Sequence, residues 1–122
     1  MRKADPRFLE GLRLFNEEEF YECHEVIEDL WRETRDVYRN LYKGLIQAAA
    51  AIYLLRRGPQ SGARGLYRSS IRYLTPYAPR AMGVNVARLI RDLESYFQCF
   101  KNWDGKTKLQ MPRKKIPKLH YL

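Results

Sequence analysis

The side chains most able to do chemistry crowd into one stretch, Phe20 to Trp31, which holds Tyr21, Glu22, Cys23, His24, Glu25, Glu28 and Asp29. Drawn as a helix at about 100° per residue, Phe20, Cys23, Val26, Ile27, Leu30 and Trp31 fill one arc. His24 follows beside Trp31, with Glu28 and Tyr21 next and Glu25 further round. Glu22, Asp29 and Glu33 take the opposite side. His24 and Glu28 stand four residues apart, so the carboxylate can accept a hydrogen bond from the imidazole. Imidazole and carboxylates one turn apart are also how helical bundles build metal sites, which makes His24, Glu25 and Glu28 the metal-ligand candidates. Three ligand-type side chains on one helix are a short set. The other histidine, His120, is remote in sequence, and the zinc-protease spacing needs histidine where Glu28 stands. Cys23 adjoins His24 but projects about 100° away, so this helix builds no thiol–imidazole pair.

Helical segments must position this stretch. Asp5-Pro6 is a cap followed by proline in the first turn, and Phe8, Leu9, Leu12 and Phe15 repeat at helical spacing. Asn16 is predicted to cap the second helix, with Glu19 completing a capping box and Phe15 stapled against Phe20. That helix is predicted over residues 17–34. Asp36 caps a third helix from Val37 to Arg57, which stops at Gly58-Pro59. Its second half is apolar nearly all round, which predicts a rod buried on every side. Ser61 is predicted to cap a fourth helix ending before Pro76, and Asn85 a fifth, apolar from Val86 to Phe100. No strand-like alternation or hairpin turn is evident. The fold class predicted is all-α, a single-domain bundle of about five helices over residues 1–101.

The short link between the second and third helices makes them antiparallel neighbours, with Gln47 level with Cys23 and His24. A buried glutamine needs hydrogen-bond partners, so His24, Glu28 and Gln47 are expected to form a polar seam, joined by Glu25, Tyr21 and Trp31. Two readings stand side by side. The seam is a structural polar cluster whose members satisfy one another, or it is a metal or acid–base site.

The net charge of +9 is unevenly spread. Residues 1–36 carry 6 basic and 11 acidic side chains, residues 37–100 carry 10 and 2, and residues 101–122 carry 7 and 1. The acidic first third and the basic middle can complement each other within the molecule. The tail, residues 102–122, has no such partner in sequence and holds two prolines, so it is expected to be disordered or strapped on the surface. Little contribution to the core is expected from it. Arg113, Lys114, Lys115 and Lys118 could neutralise phosphates there, and Tyr121 could stack on a base. No signal-peptide pattern and no apolar run long enough to cross a bilayer is evident, so no membrane association is expected. Two cysteines read as buried free thiols suit a reducing cytoplasm.

His24-x-x-x-Glu28-x-x-Trp31, preceded by Phe15-Asn16 and Phe20-Tyr21-Glu22, resembles the signature of domain-of-unknown-function family 309. So does Lys43-Gly44-Leu45-Ile46-Gln47-x-Ala49-Ala50, followed by Arg57-Gly58, Gly62-Ala63 and Leu66. The resemblance covers roughly residues 5–75 and implies a small all-helical protein of bacterial, archaeal or plastid type. Two positions depart from the pattern, Leu54 where the family often has histidine and Pro59 where it often has asparagine. A site requiring histidine on the third helix is therefore unsupported. The leading expectation is a small cytoplasmic binding or interaction module that self-associates, its polar cluster structural. The alternative is a metal-dependent or acid–base enzyme using His24, Glu25 and Glu28, and the third reading is nucleic-acid binding through the basic tail. The sequence does not identify a cofactor, and whether a metal binds is left open.

Overall fold

Asp5 and Pro6 open the first helix as their types predict: Asp5 Oδ1 accepts a hydrogen bond from the Arg7 backbone N–H at 2.8 Å. The structure, a computed structural model, describes residues 4–109, 111–112 and 114–121. Helix α1 spans Pro6–Asn16 and buries Phe8, Leu12 and Phe15 completely. The next boundary differs from expectation. Helix α2 spans Phe20–Glu33, not residues 17–34, and its start carries no side-chain cap. The reason is the end of α1, which runs on through Asn16 and closes when Glu18 turns left-handed at φ 64°. Glu17, Glu18 and Glu19 are thus used up in reversing the chain, and the Asn16 side chain is engaged elsewhere. The predicted staple does form, with the Phe15 and Phe20 rings edge to face at 5.2 Å.

Helix α3 spans Arg39–Arg57, starting two residues later than predicted, with Asp36 Oδ1 accepting from the Tyr38 N–H at 2.9 Å. Leu41, Leu45, Ala48, Ala49, Ala51 and Ile52 are fully buried, as an all-round apolar helix requires. Gly58, at φ 85°, ends it where a side chain would be strained. Helix α4 spans Gln60–Leu74 and is entered from Pro59, which leaves Ser61 in the first turn rather than at the cap. Close approach of α3 to α4 depends on Gly44, where an added Cβ would sit 2.8 Å from Leu74 Cδ2.

After a 3-10 turn at Thr75–Tyr77 comes a small hairpin, β1 Arg80–Ala81 paired antiparallel with β2 Val84–Asn85. The expectation of no hairpin is corrected here. Met82 and Gly83 both take positive φ, 47° and 80°, the conformation that closes a two-residue turn with the right twist. Asn85 then caps α5, Val86–Tyr96, accepting from the Arg88 N–H at 3.0 Å. Instead of continuing to Phe100 as α-helix, the chain tightens into a 3-10 turn at Phe97–Phe100. This stacks Phe97 on Tyr67 at 4.7 Å between ring centres. The architecture is all-α, five helices with α3 at the centre, plus that one small hairpin.

The expectation that the tail adds little to the core is also corrected. Leu119 is 3% exposed and belongs to the core cluster, and Ile116 packs against it. Arg113, one of the four candidate phosphate-neutralising cations of the tail, lies outside the described residues. Among the described residues no helix is long and apolar enough to cross a membrane.

Candidate functional site

The α2–α3 seam is built by two antiparallel helices joined by a short turn. On α2 the one-turn spacing places His24 Nε2 3.3 Å from Glu28 Oε2. The other oxygen of that carboxylate accepts from Arg32 at 3.2 Å, one further turn along. Glu28 is thus held between an imidazole and a guanidinium. Glu25 lies on the far side of the ring, its Oε1 4.0 Å from His24 Nδ1. The two carboxylates sit at opposite ring nitrogens, so they do not converge on one point that a metal could occupy. Among the described residues no three histidine, cysteine, aspartate or glutamate side chains are grouped to hold a metal ion. The arrangement can pass a proton between imidazole and carboxylate, and it can hold the ring in a fixed orientation.

Trp31 lies one turn beyond Glu28. Arg39 and Lys43 come from α3 to cover its indole ring, at 4.1 Å and 4.4 Å from the ring centre. Both neighbours are donors, so neither can accept from the indole, and Trp31 Nε1 is buried without a hydrogen-bond partner. Gln47 departs from expectation in the same way. Its Oε1 is buried and unpartnered, and its predicted bonds to His24 and Glu28 are not formed. The physical reason is competition, because the His24 ring nitrogen and the Arg32 guanidinium both face the charged carboxylate of Glu28.

Towards the start of α2 the seam opens into an apolar cleft of 190 Å³, lined by Phe20, Tyr21, His24, Ala50, Tyr53 and Leu54. The sequence pairing of α2 and α3 missed this feature, because Tyr53 and Leu54 read as part of the buried rod. Tyr21 is 53% exposed and lies against Tyr53 at 5.9 Å between ring centres. The Glu25 carboxylate beside the Tyr21 hydroxyl raises its pKa above the ordinary phenol value. Arg57 lies over the Tyr53 ring, at 5.4 Å from its centre. Cys23 is not part of this surface. It is fully buried, its thiol faces the Gly11 carbonyl at 3.3 Å, and burial pushes its pKa up to about 12.

The tail cations are placed apart from the seam. Lys114 Nζ donates to Gln98 Oε1 at 2.9 Å, and Lys118 Nζ to the Asn16 carbonyl at 2.6 Å. Lys115 is exposed.

The fold and the seam define a small all-α protein with an open two-helix face, on which His24, Glu28 and Trp31 meet Arg39 and Lys43. Residues 8–66, which span that face, match the family described as Domain of unknown function (DUF309). The chain is also similar to the uncharacterized protein YpuF of Bacillus subtilis, 31% identical over 99 residues. That match takes in 79% of this chain and 57% of the Bacillus protein. An uncharacterized protein of Aquifex aeolicus is 39% identical over 51 residues, 40% of this chain and 15% of its own length. The chain therefore spans little more than half of one curated relative and a small part of the other.

Proposed function

We propose that the chain is a binding module whose docking face is the open side of α2 and α3, and that it docks a second copy of itself there. The observation that carries this reading is His24, which closes the polar seam through Glu28 and lines the apolar cleft with Tyr21 and Tyr53. A fixed polar anchor beside an aromatic cleft is the composition of a binding surface, with tyrosine offering large area at small entropic cost. The edges of the cleft carry opposite charge, Glu19 and Glu22 from the α2 side and Arg57 from α3, while Glu18 and Arg56 already pair within the chain at 3.4 Å. In a two-fold pair the acidic edge of one copy meets the basic edge of the other, so the face is complementary to itself. The polar seam in this reading orients the face rather than performing a reaction. The opposed placement of Glu25 and Glu28 around the imidazole gives the metal-site alternative no support.

Light scattering over a protein concentration series tests the proposal. A mass rising towards twice the monomer is expected, and Tyr21→Ala should abolish the rise while leaving the helical circular dichroism unchanged. Tyr21 is half in solvent, so its loss should not unfold the chain. A constant monomer mass would overturn self-docking.

A further inference from the structure

Residues 114–121 run beside α5, and a groove of 680 Å³ lies between them, with Arg88, Lys114, Lys115, Lys118 and His120 in its lining. Asp92 is the one acidic lining residue among those described, and it stands 3.8 Å from Arg88. Lys118 is shared with Glu18 at 3.4 Å. Lys114 spends its hydrogen bond on the neutral Gln98, so its charge is not cancelled. Lys115 has no hydrogen bond or ion pair among the described residues, and Ser95 adds a hydroxyl to the wall.

The strap that forms this wall is fixed at its end. Leu119 is bound to Asn16, and the Asn85 N–H donates to the His120 carbonyl at 2.8 Å. Val84 and Tyr121 form an isolated antiparallel bridge. A wall held in place before binding loses little conformational freedom when a ligand enters.

We propose that this groove binds single-stranded nucleic acid through its phosphates. A polyanion gains here by releasing its counterions to the unneutralised lysines. The volume lies within the usual range for ligand clefts, so part of one extended strand can enter. Tyr121, 41% exposed, lies outside the groove's lining, whereas His120 within it gives a base an imidazole ring to stack on. An acidic polypeptide would share the charge attraction but bring no base for that ring. The groove shares no lining residue with the α2–α3 cleft, so the two proposals stand or fall separately.

Fluorescence anisotropy of a labelled single-stranded oligothymidylate, about 12 nucleotides long, tests the groove in the full chain. Two to four phosphate contacts predict a log–log salt slope of about −1.4 to −2.8. Replacing both exposed lysines, Lys114→Gln with Lys115→Gln, should make the slope shallower by about 1.4 with the fold intact by circular dichroism. Absence of salt-dependent binding, or an unchanged slope in the double variant, would overturn the site. Tighter binding of a duplex of the same length would overturn the single-strand assignment. Equal binding of polyglutamate with the same slope would overturn nucleic acid as the ligand.

Discussion

Asn16 and Leu119, 103 residues apart, exchange two hydrogen bonds. The Leu119 N–H donates to Asn16 Oδ1 at 2.6 Å, and Asn16 Nδ2 donates to the Leu119 carbonyl at 2.9 Å. A side-chain amide thus imitates the pairing of a neighbouring strand and ties the end of the described chain to the end of α1. Asn16→Ala removes both bonds and leaves a partly buried backbone pair without partners, which should destabilise the fold by about 1–3 kcal/mol. Urea denaturation reads the loss, and exchange of the Leu119 amide should quicken. An unchanged midpoint would show that the strap adds no stability.

The unpartnered acceptor on Gln47 makes an opposite prediction. Gln47→Met keeps the length of the side chain and removes the buried oxygen, so stability should hold or rise. Thermal melting decides this, and a loss above about 1 kcal/mol would mean that Gln47 makes a bond in solution.

For Glu28 the expected effect is small. Its side chain is 28% exposed, that of His24 is 31% exposed, and Arg32 is largely in solvent. Solvent screening holds such pairs to about 0–1 kcal/mol, so Glu28→Ala should lower stability by less than about 1 kcal/mol. Denaturant titration checks it, and a larger loss would mean a seam closed off from water.

Cys23 links burial to pH. Its folded pKa, pushed up to about 12, lies above the unfolded thiol value of about 8.5. A raised folded pKa gives stability that is complete below the unfolded value and declines as pH rises towards the folded one. Between about pH 8 and pH 11 the wild type should therefore lose stability relative to Cys23→Ala, whose other titrating groups are the same. Parallel curves for the two proteins would contradict this.

The helices were legible because each carries its own local signal, apolar spacing of three and four with Asp5, Asp36 and Asn85 at or near the starts. Asn16 misled because its side chain acts on a residue 103 positions away, which no local pattern records. The hairpin at Arg80 to Asn85 was hidden because its strands are two residues long and its turn is Met-Gly rather than Asn-Gly. The contact of His24 with Glu28 followed from spacing along one helix. The unmet oxygen of Gln47 and the cleft beside Tyr53 depend on how two helices meet. Level-matching sets the height of a residue on a neighbouring helix but not its rotation.

The claim that α2 and α3 present a docking face is tested most directly by two-dimensional NMR spectra across a protein concentration series. The account predicts concentration-dependent shifts confined to residues 18–25 and 50–57, with those of α4 and α5 unmoved. Spectra that do not change with concentration, or shifts centred on α4 or α5, would contradict it.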